Sequence, residues 1–291
     1  MKEKRVRFFI NEYKDELDTT YLNKVLLNDE LMEELSKLDN EKMLTGLKIA
    51  QLKADFSYKL KALKYLEKLE NNFLTFEASL LFSSAILIKN NIVFESVKTL
   101  LEIENIKMMN IVFDVLTNEL AVKQGISTSA AKIIGTFDNS INAEIASLLF
   151  KNKTTLSKET IFDALLMIKN ATDKVKAKKI YELYTNIDIK KYVDKEYLRK
   201  ASILINTSTN EYNTIYVYDV LTFLPGIKNK VSLKGAELIK NISEENKVEA
   251  AMLAQMLCTS KLVKNTEILE EVKRVLQNIE KDKFIKKNKP L

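Results

Sequence analysis

Histidine and tryptophan are absent from this 291-residue chain, cysteine occurs once, and there are only five glycines and two prolines. Without histidine, the Ser-His-Asp and Cys-His nucleophile systems, imidazole acid–base chemistry and His-ligated metals are all removed. The lone thiol, Cys258, can form neither an intrachain disulfide nor a cysteine zinc site, and it reads as a small buried hydrophobe. These features point to a reducing, cytoplasmic setting. Scarce glycine and proline leave little room for hairpin turns, sandwiches or phosphate-cradling loops. Gly46, Gly125, Gly135, Gly226 and Gly235 fit neither a Walker loop nor a dinucleotide fingerprint. The longest apolar run, about 78–88, lies between Glu77 and Lys89 and falls short of the roughly 20 residues of a membrane span. Arg7, Asn11 and Glu12 interrupt the start, so no signal peptide is expected. The acidic pairs Glu33–Glu34, Glu244–Glu245 and Glu270–Glu271 are sequence neighbours, which diverge around a helix and form no catalytic dyad.

What is present suits a packed helical protein. Hydrophobic residues make up 46% and charged residues 30%, and runs of Leu, Lys, Glu, Ala and Ile argue for an all-α fold. The net charge of +6 is uneven, −3 over residues 1–150 and +9 over 151–291. Lysine outnumbers arginine 42 to 4. Lysine is a point charge without the planar fork suited to phosphate or guanine. The excess is therefore either a phosphate-attracting surface or the solvated face of lysine-rich helices.

One phrase returns at nearly constant spacing: Ile-Lys-Asn-Ala-Thr at 168–172, Ile-Asn-Thr-Ser at 205–208, and Ile-Lys-Asn-Ile-Ser at 239–243. Its asparagines, Asn170, Asn206 and Asn241, are spaced by 36 and 35 residues, and Gly135 extends the series by 35. A period in the 30s signals stacked helical hairpins. Helices are expected over 128–137 and 140–151, 157–170 and 173–185, 194–206 and 210–223, and 231–241 and 244–259. Pro225–Gly226 is read as a turn, and a single helix over 265–281 completes the array. Ahead of these, helices are expected over 2–17, from Asn28 or Asp29 to Leu38, over 74–90, 92–103 and 106–120, with one long helix from Glu41 to Glu70. Leu52, Phe56, Leu60, Leu63, Leu66 and Leu69 form the stripe of that long helix, and Asn71–Asn72 ends it. The stripe covers little more than two heptads, which favours packing within the chain over a coiled coil. The expectation is one elongated domain over 1–291, with capping helices at 1–72, repeats at 73–281 and a frayed basic tail at 282–291.

In hairpin length and period the chain resembles the HEAT and armadillo α-solenoids, well over 125–280 and weakly elsewhere. The resemblance implies a right-handed solenoid of antiparallel hairpins, period about 35 residues, whose concave face grips protein, peptide or nucleic acid. Tetratricopeptide and ankyrin signatures are absent. HEAT-like DNA glycosylases are similar in architecture but use Trp-lined grooves, which this chain lacks. In armadillo arrays repeated asparagines hold a bound peptide. Here they sit at helix ends, where a left-handed stop residue followed by a hydroxyl cap (Thr172, Ser208, Ser243) explains the pattern.

A basic and aromatic region over 174–218 supplies the candidate partner-binding residues: Lys174, Lys178, Lys179, Arg199, Tyr212, Asn213 and Tyr216. Lys190, Lys191 and Lys200 lie nearby. Tyrosines interleaved with cations can stack on nucleic acid or anchor a protein. The competing reading is that Tyr181, Tyr184 and Tyr218 pack between repeats while the lysines are solvated. The expectation is a non-catalytic scaffold that binds a protein partner, without cofactor, metal or membrane. The alternative is a nucleic-acid-binding module that uses the basic 151–291 half.

Overall fold

A computed structural model of the chain describes residues 2–70, 73–151, 156–264 and 267–287, with side chains from 3 to 279. Asn71–Asn72 and tail residues 288–291 lie outside the described residues, and the last helix runs through Lys287. The described residues form α-helices and two 3-10 turns, with no strand. None of the described helices is long and apolar enough to cross a membrane. The chain divides into two compact units, Met1–Gly135 and Thr136–Leu291.

The first unit holds eleven helices among its described residues: α1 (Lys2–Glu12), α2 (Thr19–Val25), α3 (Asp29–Lys37), α4 (Asn40–Ala50), α5 (Phe56–Lys68), α6 (Phe73–Phe82), α7 (Ala85–Lys89), α8 (Val93–Leu101), α9 (Ile106–Thr117), α10 (Glu119–Lys123) and α11 (Ser127–Gly135). Asn28 caps α3 through its side chain, as expected. The single helix expected over 41–70 is instead two helices folded on each other, α4 and α5, with a break at 51–55. A straight helix would hold Leu47 and Leu63 about 24 Å apart. The fold-back buries both completely. Gly46 lets the end of α3 approach α4, since a Cβ there would collide with Leu38 and crowd Leu35, while Leu63 of α5 stands at ordinary contact distance. Phe56, assigned to the buried stripe, is 38% exposed. The helix expected over 74–90 likewise breaks at Ser83–Ser84, and α1 stops at Glu12 rather than 17.

The second unit holds α12 (Ser140–Lys151), α13 (Lys158–Lys169), α14 (Lys174–Thr185), α15 (Lys195–Thr207), α16 (Glu211–Thr222), α17 (Leu224–Lys228), α18 (Ser232–Ile239), α19 (Lys247–Leu257) and α20 (Glu267–Lys287). Ends from α12 to α16 agree with the sequence reading to within one residue. Pro225–Gly226 is not a turn but the second and third residues of α17, where proline's fixed φ suits a helix start. Helices α12, α14, α16 and α19 pack in succession, as do α13, α15, α18 and α20, and neighbours of the two series pack on each other. The pair expected at 128–137 and 140–151 is divided by the unit boundary: α11 packs on α8 and α9, α12 on α13 and α14.

Two local constructions recur in both units. In the first, the third residue of a helix donates to carbonyls at the end of a following helix. Lys42 Nζ donates to Glu67 O (3.2 Å) and to Leu69 O. Asn142 Nδ2 donates to Ala171 O (2.8 Å) and Asn213 Nδ2 to Ile242 O (2.6 Å). Tyr58 and Tyr197 hydroxyls donate to Phe82 O and Leu221 O, both at 2.6 Å. The last carbonyls of a helix have no intrahelical partner, so these side chains satisfy groups the backbone cannot. In the second construction, the five-residue helices α7, α10 and α17 each end with a left-handed residue: Asn91 (φ 56°), Gly125 (φ 67°) and Lys230 (φ 58°). In each the next residue, Ile92, Ile126 or Val231, donates its N–H back across the turn to Leu87, Ala121 or Gly226, and its apolar side chain follows.

These constructions correct the reading of the asparagine phrase. None of Asn170, Asn206 and Asn241 is left-handed. Asn170 ends α13 at φ −80°, while Asn206 lies inside α15 and donates to Met167 O at 3.3 Å. The caps fall on other residues: Asp173 for α14 and Asn210 for α16, each accepting an N–H at 2.9 Å. Thr172 and Ser208 do not cap: Ser208 ends α15, bonding back to Leu204 O. Ser243 precedes the 3-10 turn 244–246 and makes no side-chain cap bond there.

Candidate functional site

The sequence-predicted residues fall on two helix series and differ in what they present. Lys174 and Lys178 are exposed on α14, with Lys178 Nζ 3.9 Å from Glu182. Lys179 is mostly covered: its ammonium sits 2.8 Å from Glu182 and 4.3 Å over the Tyr218 ring. Tyr212 is 43% exposed on α16, and Lys247 lies over its ring at 5.7 Å. Tyr216 is half-buried beside Asp219 and Cys258 in a shallow hollow. Burial pushes the Asp219 carboxyl and the Cys258 thiol upward, the thiol to about 11, so the thiol is held neutral. Asn213 is 2% exposed and its amide serves the end of α18, so it presents nothing to solvent.

Arg199 belongs to the other series. On α15 it grips the buried Asp163 of α13 with two bonds, Nε–Oδ2 at 3.0 Å and a terminal nitrogen to Oδ1 at 2.6 Å. That hydrogen bond raises the guanidinium pKa further above its ordinary value. Asp163 also draws Lys195 to 3.5 Å. Lys200 pairs with Glu196 at 2.6 Å. The region 174–218 is therefore not one basic surface. Lys179, Lys195, Arg199 and Lys200 are ion-paired within the unit, Tyr218 lies under the Lys179 ammonium, and Tyr184 is buried.

A different feature of the second unit is an open trough of about 960 Å³ along α15, α18 and α20. Its apolar floor includes Ile203, Leu233, Leu238 and Leu269, with Ile203 52% exposed. The polar lining consists solely of lysine and glutamate. A smaller hollow beside Tyr192 and Tyr197 shares Lys230 and Leu233 with it, so the two run together. Among the polar groups, Glu237 pairs with Lys240 at 3.0 Å and Lys273 with Glu270 at 2.7 Å. Lys230 and Lys234 have no ion-pair partner among the described residues. The sequence carried one sign of this trough: on α15 the buried stripe is Ala201, Leu204 and Ile205, and Ile203 is an apolar residue out of phase with it. No group of three or more metal-ligating side chains was found among the described residues.

No family model, curated protein or solved structure matches the chain.

Proposed function

We propose that this chain is a non-catalytic binding protein of the cytoplasm, whose second unit is a HEAT-like, right-handed α-solenoid of antiparallel hairpins with a period of about 35 residues, and that it engages a protein partner. The regular packing of α12, α14, α16 and α19 beside α13, α15, α18 and α20 supports the solenoid. The observation that carries the binding reading is the open trough, whose apolar floor includes Ile203 with half its surface in water. Contiguous apolar surface of this kind marks interaction sites. Nucleic-acid binding has less support. Phosphate neutralisation needs free cations, and Arg199, Lys179 and Lys200 are already paired.

The test is affinity capture from native cells with and without nuclease, followed by a salt titration of the complex. A protein recovered equally in both arms, and held with weak salt dependence, is the expected result. Recovery that disappears with nuclease, or affinity falling steeply with salt, overturns it in favour of nucleic acid.

A further inference from the structure

Resting on that reading, we infer that the trough along α15, α18 and α20 receives an amphipathic helix with acidic residues beside its apolar stripe. The chemistry of the lining selects this occupant. The floor is isoleucine and leucine, and the rim is lysine and glutamate, without one amide or hydroxyl side chain in the main trough. An extended peptide brings a backbone whose N–H and C=O groups need partners at every residue. The trough has few to give, since the interior backbone groups of the lining helices are bonded within those helices. A helix arrives with its own backbone bonds made and needs only an apolar stripe at i, i+3, i+4 and i+7. The volume, about 960 Å³, accommodates the side chains of such a stripe but not a whole domain edge.

Charge then fixes the sign of the flank. Lys273 and Glu237 are each matched within the unit. Lys230 and Lys234 are exposed, have no ion-pair partner among the described residues, and both border the floor near the start of α18. Lys230 is held there by a left-handed backbone at φ 58°, a conformation lysine rarely adopts. A basic helix would leave both ammonium groups facing like charge, whereas aspartate or glutamate one turn apart meets them.

The experiment selects binders from a displayed library of random 16-residue peptides on the full-length protein, without assuming the sequence. Selected peptides are then measured by fluorescence anisotropy against the wild type, Ile203→Glu, and the double variant Lys230→Glu/Lys234→Glu. Far-UV circular dichroism confirms that each variant is folded. The expected binders carry apolar residues at helical spacing and a net negative charge. Ile203→Glu weakens them at least tenfold, the lysine reversal weakens them about tenfold, and exchanging the peptide's acids for lysines restores binding to the reversed variant. Binders without net negative charge, binders indifferent to both variants, or no binders at all overturn the inference. So does a chain that dimerises in sedimentation through the same residues, which would assign the trough to a second copy. The protein-binding reading is judged separately: a captured native protein that still binds Ile203→Glu and the lysine reversal removes the trough from the account while leaving that reading in place.

Discussion

In the first unit the end of α5 is met by an ammonium, that of Lys42, while in the second the ends of α13 and α18 are met by the carboxamides of Asn142 and Asn213. All three donors are the third residue of their helix and all are at least nine-tenths buried. The same substitution of chemistry on a fixed position recurs at the short helices, where Asn91 and Gly125 of the first unit correspond to Lys230 of the second. The environments differ too. The first unit packs Tyr58, Tyr65, Phe82 and Phe94 into an aromatic cluster with centroids 5.8–6.0 Å apart. It has 19 basic and 20 acidic residues, against 27 and 20 in the second. What both units preserve is the accounting of helix-end carbonyls. The residue type that performs it is free to vary, which is why a repeat built this way leaves so faint a trace in sequence.

The comparison breaks first at the helix-start donors. Glu67 O and Leu69 O are met by Lys42, so Lys42→Met leaves the end of α5 without its charged donor, at a cost of about 3 kcal/mol. Asn142→Leu removes the donor to Ala171 O, a neutral bond, and costs about 2 kcal/mol. Asn213→Leu costs about 1 kcal/mol, because Thr209 N–H still reaches Lys240 O and Asn210 Nδ2 still reaches Ile242 O. Urea unfolding curves give the three values. An order other than Lys42, Asn142, Asn213 would show that donor charge and the remaining donors at each helix end do not set the cost.

The tyrosines sharpen the comparison further. Tyr58→Phe and Tyr197→Phe each delete one hydroxyl donor to a helix-end carbonyl, and each should cost about 1 kcal/mol by the same measurement. Equal losses in the two units mean the construction is transferable. Burial also raises the phenol pKa values of both, and it pushes Tyr184 up to about 12. An unfolded tyrosine ionises near 10. The stability linked to keeping Tyr184 neutral is therefore complete below about pH 10 and is lost as pH rises towards 12. Tyr184→Phe should flatten the fall in urea midpoint between pH 10 and 12. An unchanged slope would place the alkaline loss on other groups.

How much of this was legible in the sequence depends on what generated the local pattern. Helices α13 to α16 were placed almost to the residue, because each begins at a side-chain cap and carries a buried stripe. The single helix expected over 41–70 fails because Leu52, inside the 51–55 break, keeps helical phase with Phe56, Leu60 and Leu63 of α5, so periodicity runs through the break without marking it. The fold-back is marked by Gly46 against Leu63 and by Lys42 reaching Glu67 O, and those are tertiary facts. The asparagine phrase located the ends of helices correctly but assigned the wrong atoms to the work, since Asp173 and Asn210 cap and Asn142 and Asn213 staple. For the site, clustering in sequence brought Arg199 together with α14 lysines that lie on the other helix series. The trough was missed because its lining comes from three helices 30 or more residues apart.

The smallest expected effect is the most discriminating. Asn91, Gly125 and Lys230 share one backbone conformation, but a lysine pays a steric cost there that glycine does not. Lys230→Gly should therefore stabilise the protein by about 0.5–1 kcal/mol, and Gly125→Ala should destabilise it by about 1 kcal/mol. If stability alone had shaped these turns, the glycine would be the better residue in both units. The retained lysine needs a second reason, and in the second unit it stands at the rim of the trough with no ion-pair partner among the described residues. Lys230→Gly should thus raise the urea midpoint while weakening the acidic peptides selected on the wild type by several-fold. A variant that is more stable and binds equally well would mean that the strained lysine is an accident of the turn, and the rim charge would then rest on Lys234 alone.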